Sequence, residues 1–118
     1  MTSGEHIDRA EAFHRVSDVL RCKWTLAVLD ALGSGTSRPS QIERALPGLT
    51  SKVLNDRLRK LERFGLVTRE AFAEVPPRVE YTPTPRGQEL AALARTIGSF
   101  VDDWAQGGEA RERPAQPR

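Results

Sequence analysis

A chain of 118 residues with a net charge of +2 suffices for one domain with a modest core, and is too weakly basic to hold nucleic acid by bulk charge. Its lone cysteine excludes an intrachain disulfide framework and suits a reducing cytoplasm, the expected localisation. There is no apolar run long enough for a membrane span, no secretory core near the start and no internal repeat.

Residues 1–5 lack periodicity, and 107–118 form a Gly/Pro/charged stretch with nothing to bury. Both are expected to be disordered, leaving 6–106 as the domain. Ile7 to Leu20 reads as a first helix, with apolar Ile7, Ala10, Phe13, Val16 and Leu20 among charges. Lys23 to Leu32 is a second, apolar around much of its circumference and therefore central, ended by Gly33-Ser34-Gly35. Ser37 and Ser40 bracket the start of a third helix, Gln41 to Leu46, whose Ile42 and Leu46 face inward. Pro47-Gly48 is a turn of the kind that joins two helices at a steep angle.

The next helix begins near Thr50 and carries the most information. Leu54, Leu58 and Leu61 recur at helical spacing and form one apolar stripe. Lys52, Asn55, Asp56, Arg59 and Arg63 point the other way. Thr50 or Ser51 can cap its start, and Gly65 stands where a C-terminal glycine belongs. After Gly65 the period becomes alternating. Leu66 to Phe72 and Arg78 to Thr82 are predicted strands around the loop Ala73 to Pro77, a hairpin wing. Thr84-Pro85 opens a last helix to about Trp104, with Leu90, Leu93, Ile97, Val101 and Trp104 on one side. The fold class is α+β, mainly α: a winged helix-turn-helix with additional N- and C-terminal helices forming a dimer interface.

A dry back and a polar front are what a helix needs to lie in a DNA groove. Lys52 and Asn55 are the candidates for base edges, lysine for guanine acceptors and asparagine for adenine. Ser51 and the first-turn amides suit a phosphate. Arg59 and Arg63 reach bases or backbone, and Arg57, near the apolar edge, takes a phosphate or an intramolecular carboxylate. Asp56 either accepts from cytosine or orients an arginine. Arg38 and Ser40 are backbone contacts or caps. Arg78 enters the adjacent minor groove or is a solvated loop arginine.

The terminal helices are not needed for a minimal winged core. Their apolar residues Phe13, Leu90, Leu93, Ile97, Phe100 and Trp104 are therefore assigned to a dimer interface. Cys22 has two readings: a small, partly buried residue, or a thiol activated at a helix start beside Arg21 and Lys23. His6 and His14 with one distant cysteine make no metal site, and no cofactor is expected. Neither a Gly-rich phosphate loop nor a nucleophile-base pair is present, which argues against an enzyme. Two functions stay open: a DNA-binding regulator, or a winged-helix module that binds protein.

Several strings also carry a resemblance: Lys23-Trp24-Thr25, Ile42 to Gly48, Leu54 to Glu62, Gly65-Leu66-Val67 and Pro76-Pro77-Arg78-Val79-Glu80-Tyr81. Over roughly residues 8 to 104 the chain resembles the HxlR-type family of bacterial, MarR-like winged-helix transcription regulators. The resemblance implies a homodimer on an inverted repeat of double-stranded DNA near promoters. It also implies repression or activation, often of genes answering electrophiles, quinones or aromatic compounds. A small-molecule effector would then lie near Phe13, His14, Trp24 and Trp104. Oxidant-sensing members typically carry a cysteine in the first helix, about a dozen residues before the Lys-Trp pair. Glu11 stands there in this chain and Cys22 directly precedes Lys23, so that mechanism is not carried over.

Overall fold

In the computed structural model, which describes residues 6–22 and 24–107, five helices and one hairpin follow in the order α1, α2, α3, α4, β1, β2, α5. α1 is Arg9–Arg21, α2 Thr25–Gly33, α3 Pro39–Ala45 and α4 Ser51–Arg63; β1 is Val67–Phe72, β2 Arg78–Pro83 and α5 Pro85–Gly107. Residues 1–5 and 108–118, expected to be disordered, lie outside the described residues, as does Lys23; Gly107 still belongs to α5.

Each helix starts where local chemistry satisfies its orphan amides. Asp8 Oδ1 accepts from Glu11 N at 2.8 Å, so α1 begins after Asp8 and not at Ile7. Trp24 has a left-handed backbone (φ 77°), which delays α2 from the predicted Lys23 to Thr25. Pro39 opens α3 two residues ahead of the expected Gln41, because a proline at the first helical position loses no hydrogen bond. Thr50 Oγ1 accepts from Val53 N at 3.2 Å and caps α4. Thr84 Oγ1 accepts from Gly87 N at 3.1 Å and donates to Gly65 O at 2.8 Å, tying the start of α5 to the end of α4.

α2 is the central element, touching α1, α3, α4, α5 and β2. Val28 and Leu29 from it meet Val19, Ile42, Leu54, Leu58 and Leu61, all fully buried, and Leu49, Leu66, Val67 and Tyr81 close the core. α2 and α5 approach closely at small residues; a Cβ on Gly33 would come within 2.6 Å of the Ala91 methyl. The hairpin is antiparallel, in register from Val67 opposite Pro83 to Phe72 opposite Arg78. Tyr81 N donates to Ser37 O at 2.8 Å, which ties β2 to the segment leading into α3.

One interface assignment needs correction. Leu90 is 9% exposed and lies in the core with Ala91, so it serves the subunit interior. The buried residues of α5, Gly87, Leu90, Ala91 and Ala94, all lie in its first half. Leu93, Ile97, Phe100, Val101 and Trp104 stay exposed, as do Ile7, Phe13, Val16 and Leu20 of the N-terminal helix region. α1 gives the core a single buried residue, Val19.

Candidate nucleic-acid interface

Three leucines decide which way α4 faces. Leu54, Leu58 and Leu61 have no exposed surface, and each such burial contributes roughly 1.5–3 kcal/mol. That anchor turns Lys52, Asn55, Arg59 and Arg63 outward, all of them exposed. The turn before α4 is set by Gly48, whose φ of 98° a side chain would resist and which lies against the Trp24 ring. Trp24 is half-buried there, packed on the core.

Asp56 Oδ1 accepts from Arg59 Nη2 at 3.0 Å, the contact that a carboxylate orienting an arginine makes. Ser51 Oγ donates to Glu43 Oε2 at 2.8 Å, linking the first turn of α4 to α3 and placing a carboxylate beside it. Arg57 is half-buried.

Arg38, Ser40 and Arg78 are brought together at a separate place, a cleft of about 480 Å³ between the start of α3 and the wing. Arg38 stands at the helix cap, its backbone N–H bonded to Gln41 Oε1 at 3.2 Å, and Ser40 is exposed. Arg38 Nε lies 3.3 Å from Glu80 Oε2. Arg78 is not the solvated loop arginine: its guanidinium stacks 3.9 Å from the Phe72 ring centroid, with Nη2 3.2 Å from Glu74 Oε2.

A buried apolar back, an exposed polar ridge, a turn joining α3 to α4 and a hairpin after them are the parts of a winged helix-turn-helix. The model of the HxlR-like helix-turn-helix matches residues 19–109. The chain belongs to the HxlR-like helix-turn-helix family. It is 41% identical over 91 residues to the HTH-type transcriptional regulator sll1512 of Synechocystis, covering 77% of this chain and 67% of that protein. A MarR-family transcriptional regulator from Enterococcus faecalis V583 superposes with a TM-score of 0.66 at 40% identity, over 89% of this chain and 96% of that one. The ytfH regulator of Salmonella typhimurium gives 0.75 at 30% identity, over 86% and 91%. The chain is thus a helix-turn-helix transcriptional regulator with a MarR-like winged fold, and DNA binding is implied by its family.

In this HxlR-like chain the residues expected near an effector are mostly surface side chains. Phe13 and Trp104 are 56% and 63% exposed, His14 is exposed, and Trp24 packs by the α3–α4 turn. None of the four lines the apolar cleft of about 460 Å³ between α1 and α5. Its walls include Ala12, Val16, Phe64, Leu66, Leu90 and Leu93, with Arg15, Arg86 and Glu89. Among the described residues no helix is long and apolar enough to cross a membrane, and no group of three or more His, Cys, Asp or Glu is placed to hold a metal.

A polar cluster that local patterns did not reveal joins α1 to α4. Lys60 Nζ donates to Asp18 Oδ1 and to Cys22 Sγ, each at 3.0 Å, and the Cys22 thiol donates to Asp18 Oδ1 at 3.4 Å. Asp18 and Cys22 are four apart on one helix, a spacing legible in sequence, but a partner 42 residues onward is not. Cys22 caps the C-terminus of α1, with its N–H bonded to Asp18 O at 3.2 Å, and does not open α2. The helix-start argument for a reactive thiol therefore fails, since a helix C-terminus presents carbonyls.

The Lys60 ammonium, then the Cys22 thiol, bring the Asp18 carboxyl from 3.8 down to about 2, while hydrogen bonds to Cys22 and Asp18 raise Lys60. A carboxylate with a lowered folded pKa stabilises the fold above its unfolded value, and that stabilisation fades as pH falls through the folded one. Asp18→Asn should be less stable than wild type in urea at pH 7, with the gap closing between about pH 4 and pH 2. Equal stability at pH 7 would contradict the assignment.

Proposed function

We propose that this regulator binds double-stranded DNA as a homodimer, each copy laying α4 in a major groove of one half of an inverted repeat. The observation that carries the reading is the outward ridge of Lys52, Asn55, Arg59 and Arg63 on a fully buried leucine base. Lys52 and Asn55 near the helix start read base edges, and Arg63 and the Asp56-oriented Arg59 contact bases or backbone. Ser40, Ser51 and Arg57 serve the phosphates.

Pairing is supported by the apolar residues left in water on α1 and α5, including Phe13 at 56%, Leu93 at 58%, Phe100 at 60% and Trp104 at 63% exposure. Ile97 continues that face. One helix-turn-helix spans only a few base pairs, so a two-fold pair supplies the remaining affinity and matches a palindromic site. The regulator acts in the cytoplasm by binding, without catalysis. Its effector, an aromatic or electrophilic small molecule, occupies the apolar cleft between α1 and α5.

Fragments of the source genome selected on the purified protein supply the operator for a gel-shift titration. Lys52→Ala and Asn55→Ala should each cost about 1–3 kcal/mol in specific affinity and relax sequence preference. If both variants hold wild-type affinity and preference, α4 is not the reading helix. Salt separates this function from a protein-binding winged helix, since contacts to several phosphates weaken steeply between low and physiological salt.

A further inference from the structure

The wing meets the start of α3 through four charges, Arg38, Glu74, Arg78 and Glu80. Glu80 Oε2 lies 3.3 Å from Arg38 Nε and 3.5 Å from Arg78 Nε, the latter without hydrogen-bond geometry. Glu74 holds the far side of Arg78, whose plane rests on Phe72. The side chains of Arg78 and Glu80 are 26% and 28% exposed and that of Arg38 is 42%, so this bridge is partly shielded from solvent. Two arginines and two glutamates sum to zero charge at a place that lines an open cleft beside the reading helix-turn-helix. Lys52 and Arg63 of α4, by contrast, are exposed.

We propose that Glu80 is a specificity-determining residue that acts through Arg38 and Arg78. Its carboxylate neutralises both guanidiniums and holds them across the α3–wing joint, so they add little to indiscriminate attraction for DNA. This rests on the DNA-reading role proposed above. Non-specific binding is almost entirely phosphate electrostatics, and each cation that engages a phosphate steepens the salt dependence by about 0.9 in log-log slope. Base contacts of α4 fix the register on an operator, whereas on bulk DNA freed guanidiniums could settle on any phosphate, so suppressing that attraction weakens bulk binding more than operator binding. The Tyr81 N–H to Ser37 O bond keeps β2 docked when the charge is removed, so the wing remains in place.

The test uses the full chain, with a random-sequence duplex and a selected operator titrated across about 50–200 mM salt. Glu80→Gln is near-isosteric and should bind the random duplex about threefold to tenfold more tightly at the low end. Its slope should be steeper by about 1, and its operator-to-random ratio correspondingly lower. Adding Arg38→Gln to Glu80→Gln should remove most of that gain, whereas a purely structural role for Glu80 would leave the slope unmoved. Arg38→Gln alone should leave the random-duplex slope nearly unchanged, because the guanidinium it deletes is already neutralised. This second variant also decides the matter should Glu80→Gln melt early by circular dichroism. An unchanged or weaker random-duplex affinity in Glu80→Gln, or a slope lower by about 1 in Arg38→Gln, overturns the proposal. Wild-type protein showing no salt-dependent binding to either duplex would overturn the DNA-reading role itself, a result distinct from normal wild-type binding with an unmoved Glu80→Gln slope.

Discussion

Gly87→Ala should be among the most destabilising single substitutions in this protein, even though alanine is the better helix former by about 1 kcal/mol. Gly87 is buried in the first turn of α5, and a Cβ there would overlap the backbone carbonyl of Leu66. That carbonyl oxygen accepts from Thr84 N at 3.0 Å, and Leu66 N donates to Leu61 O at 2.9 Å. The obstacle is backbone held from both sides, with no flexible side chain able to turn away. To admit one methyl, α5 must lift from the α4–β1 junction, lengthening the Thr84 bonds and loosening Leu90 in the core. Overpacking costs typically about 1–3 kcal/mol and more where nothing can give, so a net loss of about 3 kcal/mol is expected. For a domain of this size that lowers the melting temperature by about 10–20 °C. Urea and thermal melts check it; a variant as stable as wild type would mean that α5 is not seated on Leu66 as described.

The second large effect concerns assembly and leaves the subunit fold intact. Phe100→Glu and Leu93→Glu each put a carboxylate on a side chain that is 60% or 58% exposed in the single subunit, so little core packing is lost. Phe100 also meets Trp104 edge to face, with centroids 5.5 Å apart, and the two rings form the largest apolar feature of the outer half of α5. If that face is buried against a second copy, a charge there removes apolar area and leaves an unpaired carboxylate in the interface. Sedimentation at micromolar concentration should show wild type at twice 13.1 kDa and the variants at 13.1 kDa. Affinity for a two-half-site duplex should drop about a hundredfold or more, because the second half-site is then no longer bound intramolecularly. Variants that stay dimeric would place the interface elsewhere, and a monomeric wild type would remove it.

Period and punctuation were sufficient for the parts of this fold where one residue's neighbours are close in sequence. The α4 stripe is the best case: Leu54, Leu58 and Leu61 are spaced by the helix repeat, Thr50 caps and Gly65 ends it, and all five behave as read. The hairpin and the Thr84-Pro85 start of α5 are similarly local. What escaped the sequence was decided at a distance. Leu90 and Leu93 look alike on a helical wheel, but only the former is buried in the core. Trp24 shifts the start of α2 through a left-handed backbone that no residue preference announces. Arg78 reads as a free wing cation until Phe72, Glu74 and Glu80 are folded around it. Lys60 lies on a basic helix, yet its ammonium turns back to Asp18 on α1 and to Cys22 at its end. Charge partners across elements are set by packing, which a local pattern does not encode.

The central claim is that the ridge of α4 reads a groove, twice, from one two-fold assembly. Hydroxyl-radical footprinting of wild-type protein on a selected genomic fragment tests it most directly. Two protected patches related by an inverted repeat, on one side of the duplex with centres about one helical turn or a whole number of turns apart, are the expected result. Protection should fade for Lys52→Ala and Asn55→Ala at concentrations that saturate wild type. A single patch, or protection that neither substitution alters, would contradict the account.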